Sequence, residues 1–213
     1  MKEISTINTL IFDFGGVIIN LDLPQCIENI QKLGFKDVDN YLSNFGQSDF
    51  FLKFEKGEID TVQFRSELRK NVSNNVTDNQ IDEAWCSFLC DIPMEKIELL
   101  IELKKKYRLL LLSNSNPLHI DVCAAREFAK AGKTIHDFFD QCFFSYKMGL
   151  TKPDKAIFES LAEQAGVIPE ECLFLDDGAK NIDMARSLGF HTYLVKPHEN
   201  LSFLLNADFF KLI

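Results

Sequence analysis

Positive charge is scarce in this chain. Its 213 residues hold 23 lysines and arginines against 32 aspartates and glutamates, a formal net charge of −9. That deficit disfavours nucleic acid or an anionic membrane as partner and leaves room only for a locally basic pocket, one that would take an anionic small molecule. Tryptophan is nearly absent: one tryptophan and four tyrosines stand against 20 phenylalanines. The aromatic content therefore belongs to an interior, without the aromatic and basic interleaving of a single-strand binder. No apolar run approaches a membrane span, and the amino-terminal MKEISTINTLIF is too short in its apolar part and wrongly flanked for a signal peptide. A cytoplasmic protein is expected. No CxxC pair occurs among Cys26, Cys86, Cys90, Cys123, Cys142 and Cys172, so these read as reduced core thiols rather than a disulfide framework or a zinc site. Internal repeats and low-complexity tracts are missing as well.

What remains is a chain able to bury a core. Hydrophobic residues make up 46% of it, and the length suits one large domain or one domain carrying a smaller one. The stretch TLIFDFGGVIIN at 9–20 opens the pattern: Leu10, Ile11 and Phe12 form a buried parallel strand that ends at Asp13, and Gly15 and Gly16 let the chain turn. Residues 20–93 then change character, polar-rich and amphipathic with few strand signals, and predict helices over 24–33, 37–45, 48–56, 61–72 and 77–89. From 94 onward strands at 108–112, 142–145, 172–175 and 192–195 alternate with helices over 94–106, 120–131, 154–165 and 181–188. Such alternation predicts an α/β fold with a parallel sheet covered on both faces. The expected organisation is a core of 1–19 and 94–213, interrupted by an all-helical domain of 20–93.

Chemistry gathers at the strand ends, where ligands bind in open α/β sheets. Asp13 ends the first strand, Ser113 and Asn114 follow the second, Lys152 lies in GLTKPD after the third, and Asp176 and Asp177 end the fourth. Two adjacent carboxylates after an apolar strand repel each other unless a cation or donors compensate. With Asp13 they offer an all-oxygen site suited to Mg²⁺. Singly, each has a bland reading: a turn or helix-cap role for the aspartates, a strand-end hydroxyl for Ser113, a solvated loop lysine for Lys152.

The series as a whole resembles the haloacid dehalogenase superfamily, most like its phosphatase branch with a helical cap after the first motif. The resemblance spans essentially the whole length and implies a Rossmann-like core under a mobile cap. It further implies that Asp13 attacks phosphorus and forms an aspartyl-phosphate that water hydrolyses. Mg²⁺ would be held by Asp13, the Gly15 backbone carbonyl and Asp177, with Asp176 and Asn181 orienting its waters. Ser113, Lys152 and the backbone N–H groups of Phe14 and Asn114 would hold the phosphoryl oxygens of a small phosphorylated metabolite.

One residue departs from the pattern. The first motif of this family is normally DxDx(T/V), and here Gly15 stands where the second aspartate, the general acid and base, is expected. That function is typically worth about 10²–10⁴-fold in rate. Three readings stay open: a phosphatase whose leaving group needs little protonation, such as an anomeric sugar phosphate, or whose acid comes from elsewhere; a 2-haloacid dehalogenase; and a non-catalytic ligand- or partner-binding protein. Specificity is expected in the cap, at the KGEID turn of 56–60 with Lys56 and Asp60 at its ends, and at Lys53 and Arg65. His119 is a further candidate for the displaced proton donor.

Overall fold

In the computed structural model, which describes residues 7–36, 38, 49–72, 75–206 and 208–211, five parallel strands form one sheet in the order β3-β2-β1-β4-β5. They are β1 (Thr9–Phe12), β2 (Arg108–Ser113), β3 (Gln141–Phe144), β4 (Cys172–Asp176) and β5 (His191–Leu194). β1 occupies the centre, where the strand order reverses direction, and its register sets Phe12 beside both Leu111 and Leu175. The residues that follow on β1, β2 and β4 therefore emerge side by side.

The run of apolar residues in β1, β2 and β4 is explained by burial on both faces. Leu10, Phe12, Leu109, Leu111, Leu173 and Leu175 point into one core, while Ile11, Leu110, Leu112, Cys172 and Phe174 point into another with Ile157, Phe158, Leu161 and Ile182. The first core continues without a break into the helices between β1 and β2, through Phe54, Phe64, Leu68, Ile81 and Trp85.

Those helices are Leu23–Lys32, Asp49–Glu55, Thr61–Lys70 and Asp78–Cys86. Capping boxes start two of them, Asp60 with Gln63 and Thr77 with Gln80, each satisfying backbone N–H groups that the first turn leaves unpaired. The helix expected over 37–45 lies, apart from Val38, outside the described residues. Where the chain enters and leaves this segment it pairs with itself: the Cys90 N–H donates to the Asn20 carbonyl at 2.9 Å and the Asn20 N–H to the Asp91 carbonyl at 3.0 Å.

After the segment come the helices Met94–Lys104, Lys155–Ala165 and Ala179–Ser187, near their expected positions. The helix expected over 120–131 begins earlier, as a π-helical stretch Leu118–Ala124 running into Ala125–Lys130. One expectation is corrected here. Cys86 and Cys123 form a disulfide, whereas Cys26, Cys90, Cys142 and Cys172 are free. The partners lie 37 residues apart on two helical elements that pack together, a proximity that spacing along the chain does not reveal. No helix among the described residues is long and apolar enough to cross a membrane.

Candidate active site

The carboxyl ends of β1, β2 and β4 and the loop after β3 converge on one cluster. Asp13 continues β1, its N–H donating to the Leu175 carbonyl at 2.8 Å, so the side chain emerges at the level of Asp176. Lys152 reaches between the two. Its Nζ lies 2.8 Å from Asp13 Oδ1 and 2.6 Å from Asp176 Oδ2, with a side chain only 1% exposed. Asn114 fixes the backbone that carries this lysine: its Nδ2 donates to the Lys152 carbonyl at 2.9 Å, and its Oδ1 accepts from the Lys152 N–H at 2.8 Å. The other oxygen of Asp176 is also occupied, accepting from the Gly178 N–H at 2.7 Å and from Asn181 Nδ2 at 2.8 Å. Asp176 is thereby held at every turn, while the exposed Asp177 beside it keeps a carboxylate toward Gly16.

Gly16 is the residue that lets the two loops touch. Its φ is +70°, and a Cβ there would come within 2.3 Å of Asp177 Oδ2. Only glycine combines that backbone with that approach. At Gly15 the neighbour is apolar: a Cβ would meet Leu21 Cδ1 at 3.2 Å. Phe14 is 2% exposed and its ring packs on Phe128, so only its backbone is left for a ligand. Ser113, also buried, ends β2 next to Asn114 with its Oγ 3.4 Å from the Asn114 carbonyl.

The electrostatics are those of a site short of positive charge. Asp13, Asp176 and Asp177 each offer an oxygen within 4.8 Å of the others, and the one ammonium among them bonds only Asp13 and Asp176. Burial pushes the Asp13 carboxyl up to about 7; Lys152 pulls it down, and the charges of Asp176 and Asp177 push it further up. Asp177 is raised by burial and by Asp176. Lys152 is itself opposed by burial, yet Asp13 and Asp176 outweigh that and hold its ammonium above the usual lysine range. A hard divalent cation fits this donor set, all oxygen and deficient in positive charge.

Other expected residues fall elsewhere. Arg65 is committed to Asp82, with Nε 2.8 Å from Oδ1 and Nη2 2.5 Å from Oδ2, and ties the helix Thr61–Lys70 to Asp78–Cys86. His119 is stacked on Trp85 and held by Asn116, whose Oδ1 accepts from its N–H at 3.0 Å. Burial pushes its imidazole down to about 4, against a hydrogen bond with the Trp85 carbonyl. Both ring nitrogens are engaged within this packing, Nδ1 with Asn116 Nδ2 at 3.1 Å and Nε2 with the Trp85 carbonyl at 3.3 Å. Lys53 lies on the helix Asp49–Glu55, two residues before its end.

The KGEID turn does come down on the strand ends. Gly57 adopts φ +69°, and a Cβ would stand 2.1 Å from the Tyr146 carbonyl oxygen, so the turn sits directly on the segment after β3. Ser145 pins it, its Oγ donating to the Glu55 carbonyl at 2.6 Å while accepting from the Ser115 N–H at 2.9 Å. This brings in a residue that sequence reading missed. Glu55, one position before the turn, is half-buried with a carboxyl pushed up to about 7 by burial, and Lys152 is the cation that pulls it back. The only signal in the sequence was a glutamate at the helix end before Lys56 and Gly57.

Comparison with known proteins agrees with this constellation. A model of the haloacid dehalogenase-like hydrolase family matches residues 7–189. D-ribitol-5-phosphate phosphatase of Bacteroides thetaiotaomicron is 35% identical over 187 residues, covering 88% of this chain and 91% of the relative. The wild-type HAD family enzyme bt-2542 of the same organism, solved in complex with magnesium and inorganic phosphate, is similar with a TM-score of 0.89 at 40% identity, over 94% of this chain and 100% of that one. A predicted HAD-like family hydrolase from Porphyromonas gingivalis gives a TM-score of 0.87 at 36% identity, over 94% and 98% of the two chains.

Proposed function

The chain belongs to the haloacid dehalogenase-like hydrolases, and from that premise we propose that it is a Mg²⁺-dependent phosphatase of a small phosphorylated polyhydroxy metabolite. The observation that carries the proposal is Lys152 bridging Asp13 and Asp176 inside a three-carboxylate cluster. A phosphoryl group brings negative charge to a carboxylate nucleophile, and the pair meets only if cations offset the repulsion. Lys152 supplies one. Asp13, the Gly15 carbonyl and Asp177 would hold Mg²⁺, which would supply the rest of the charge neutralisation, and Asp176 and Asn181 would orient its waters.

The work of this chain's own residues follows. Asp13 attacks phosphorus and carries the phosphoryl group as an acyl phosphate, which water then cleaves. Lys152, fixed through its backbone by Asn114, holds the phosphoryl oxygens together with Ser113 and the N–H groups of Phe14 and Asn114. Residues 20–93 act as a cap domain whose KGEID turn closes over the substrate. The adjacent carboxylates argue for a phosphatase over a dehalogenase, since a halide-releasing site has no use for a bound cation.

The substrate class takes support from the D-ribitol-5-phosphate phosphatase relative. It favours a primary phosphate ester of a pentitol or sugar over an anomeric phosphate. The test is phosphate release from a panel of pentitol, pentose and hexose phosphates, each with Mg²⁺ and with EDTA. Release with Mg²⁺ only, highest on a primary ester, is the expected result. Silence across the panel, or EDTA-resistant halide release from a 2-haloacid, overturns the proposal.

A further inference from the structure

A primary alcohol is a poor leaving group, and Gly15 removes the acid that would protonate it. The replacement has to be a carboxyl that reaches the strand ends without coming from β1. From the way the KGEID turn is clamped against the segment after β3 that leads to Lys152, we infer that Glu55 is the general acid and base of this enzyme, delivered by the helical segment instead of by the first motif.

Three observations place it there. The Ser145 hydroxyl holds the Glu55 carbonyl at 2.6 Å and is itself tied to Ser115, two residues beyond the end of β2. Gly57 lies on the Tyr146 carbonyl so closely that no other residue fits, which fixes the helix end in position. And the short helix Ser145–Met148 on which the turn rests runs on along the chain to Lys152, whose ammonium bonds Asp13. Charged and titratable groups on the elements packed against this helix end include Tyr146 and Lys147 under the turn and Arg65 and Glu67 on the neighbouring helix; Lys53 and Lys56 lie on its own element. Burial dominates over the opposing charge of Lys152 and holds the carboxyl up at about 7, where it can both give and take a proton near neutrality.

The proton balance is closed. As the Asp13 oxygen bonds to phosphorus and the ester P–O bond breaks, the leaving alkoxide takes the proton of the Glu55 carboxyl. In the second half the Glu55 carboxylate takes a proton from water as that water attacks phosphorus, the bond to Asp13 breaks, and phosphate departs. Glu55 ends protonated, as it began.

This inference rests on the phosphatase reading, and one variant separates the two. Glu55→Gln, isosteric and uncharged, is assayed with Mg²⁺ on a pentitol 5-phosphate and on p-nitrophenyl phosphate, whose leaving group needs no proton. The variant is expected to lose about 10²–10⁴-fold on the alkyl ester. On the aryl ester it should give a burst of nitrophenol followed by slow turnover, because the aspartyl-phosphate forms but lacks its base, and the limb of the pH profile near 7 should vanish. The fold itself should gain: a carboxyl raised on folding costs stability once ionised, so the variant melts higher than wild type at pH 8 and not at pH 5. A variant with unchanged kinetics, or with equal losses on both esters and no burst, overturns the role of Glu55 alone. Wild-type protein inactive on both esters overturns the phosphatase reading and this inference with it.

Discussion

Replacing Lys152 by methionine removes the only cation that the described structure places within bonding distance of Asp13 and Asp176 and keeps most of the side chain's volume. The consequence can be worked out from what is left behind. Asp176 Oδ1 retains the Gly178 N–H and Asn181, but Oδ2, fully buried, loses its 2.6 Å bond, and Asp13 Oδ1 loses its 2.8 Å bond. Breaking a buried ion pair by removing one partner typically costs about 3–5 kcal/mol, since the remaining charge is uncompensated. The loss depends on pH in a definite direction. The folded pKa of Asp13 already stands above its unfolded value of 3.8, at about 7. Without the lysine it rises further, so folding of the variant takes up protons, and stability falls as pH rises through and beyond that interval. Urea denaturation in EDTA should therefore show a deficit of about 3–5 kcal/mol at pH 8 that shrinks to roughly half at pH 5. A deficit under about 1 kcal/mol at pH 8, or one that does not change with pH, would refute the claim that Lys152 balances these carboxylates.

Gly57→Ala is expected to cost about 1–2 kcal/mol for the left-handed backbone and to lift the turn from the Tyr146 carbonyl; steady-state kinetics should show kcat down tenfold or more with the thermal response to Mg²⁺ unchanged. Arg65→Ala should lower stability by about 1 kcal/mol through its lost pairing with Asp82 and leave KM within about twofold, because this arginine is spent inside the helical segment. A large KM increase would show instead that it reaches substrate. The disulfide between Cys86 and Cys123 closes a loop of sequence separation 37, for which chain entropy predicts about 2–4 kcal/mol. Wild-type protein should melt lower in reducing agent, and Cys123→Ala should melt at that lower temperature in either condition.

The middle of the sheet was legible in the sequence because β1, β2 and β4 are buried on both faces and so written as uninterrupted apolar runs, LIF, LLLL and LFL, each ending at a polar residue. The same punctuation located Asp13, Ser113, Asp176 and Asp177, and parallel pairing did the rest by aligning the strand ends. What the sequence did not carry was contact across distance. Cys86 and Cys123 have no motif to mark them, and Arg65 finds Asp82 only once two helices pack. Glu55 was missed for a similar reason: its importance comes from the clamp of Ser145 and Gly57 on the loop after β3, and neither the helix pattern nor the turn signal points at the residue between them. His119, read from the sequence as a helix-start residue with proton donation as the lesser alternative, lies in the first turn of Leu118–Ala124. There its ring stacks on Trp85 and Phe88, a packing that the sequence near the second motif does not announce.

In the proposed mechanism Asp13 carries the phosphoryl group. That step is tested most directly by acid-quenching the protein during turnover with Mg²⁺ and mapping the modified peptide by mass spectrometry. The account predicts one phosphoryl group on the peptide containing Asp13, absent in EDTA and absent, together with turnover, in Asp13→Asn. Sustained turnover by Asp13→Asn, or a phosphoryl group found on another residue, would contradict it.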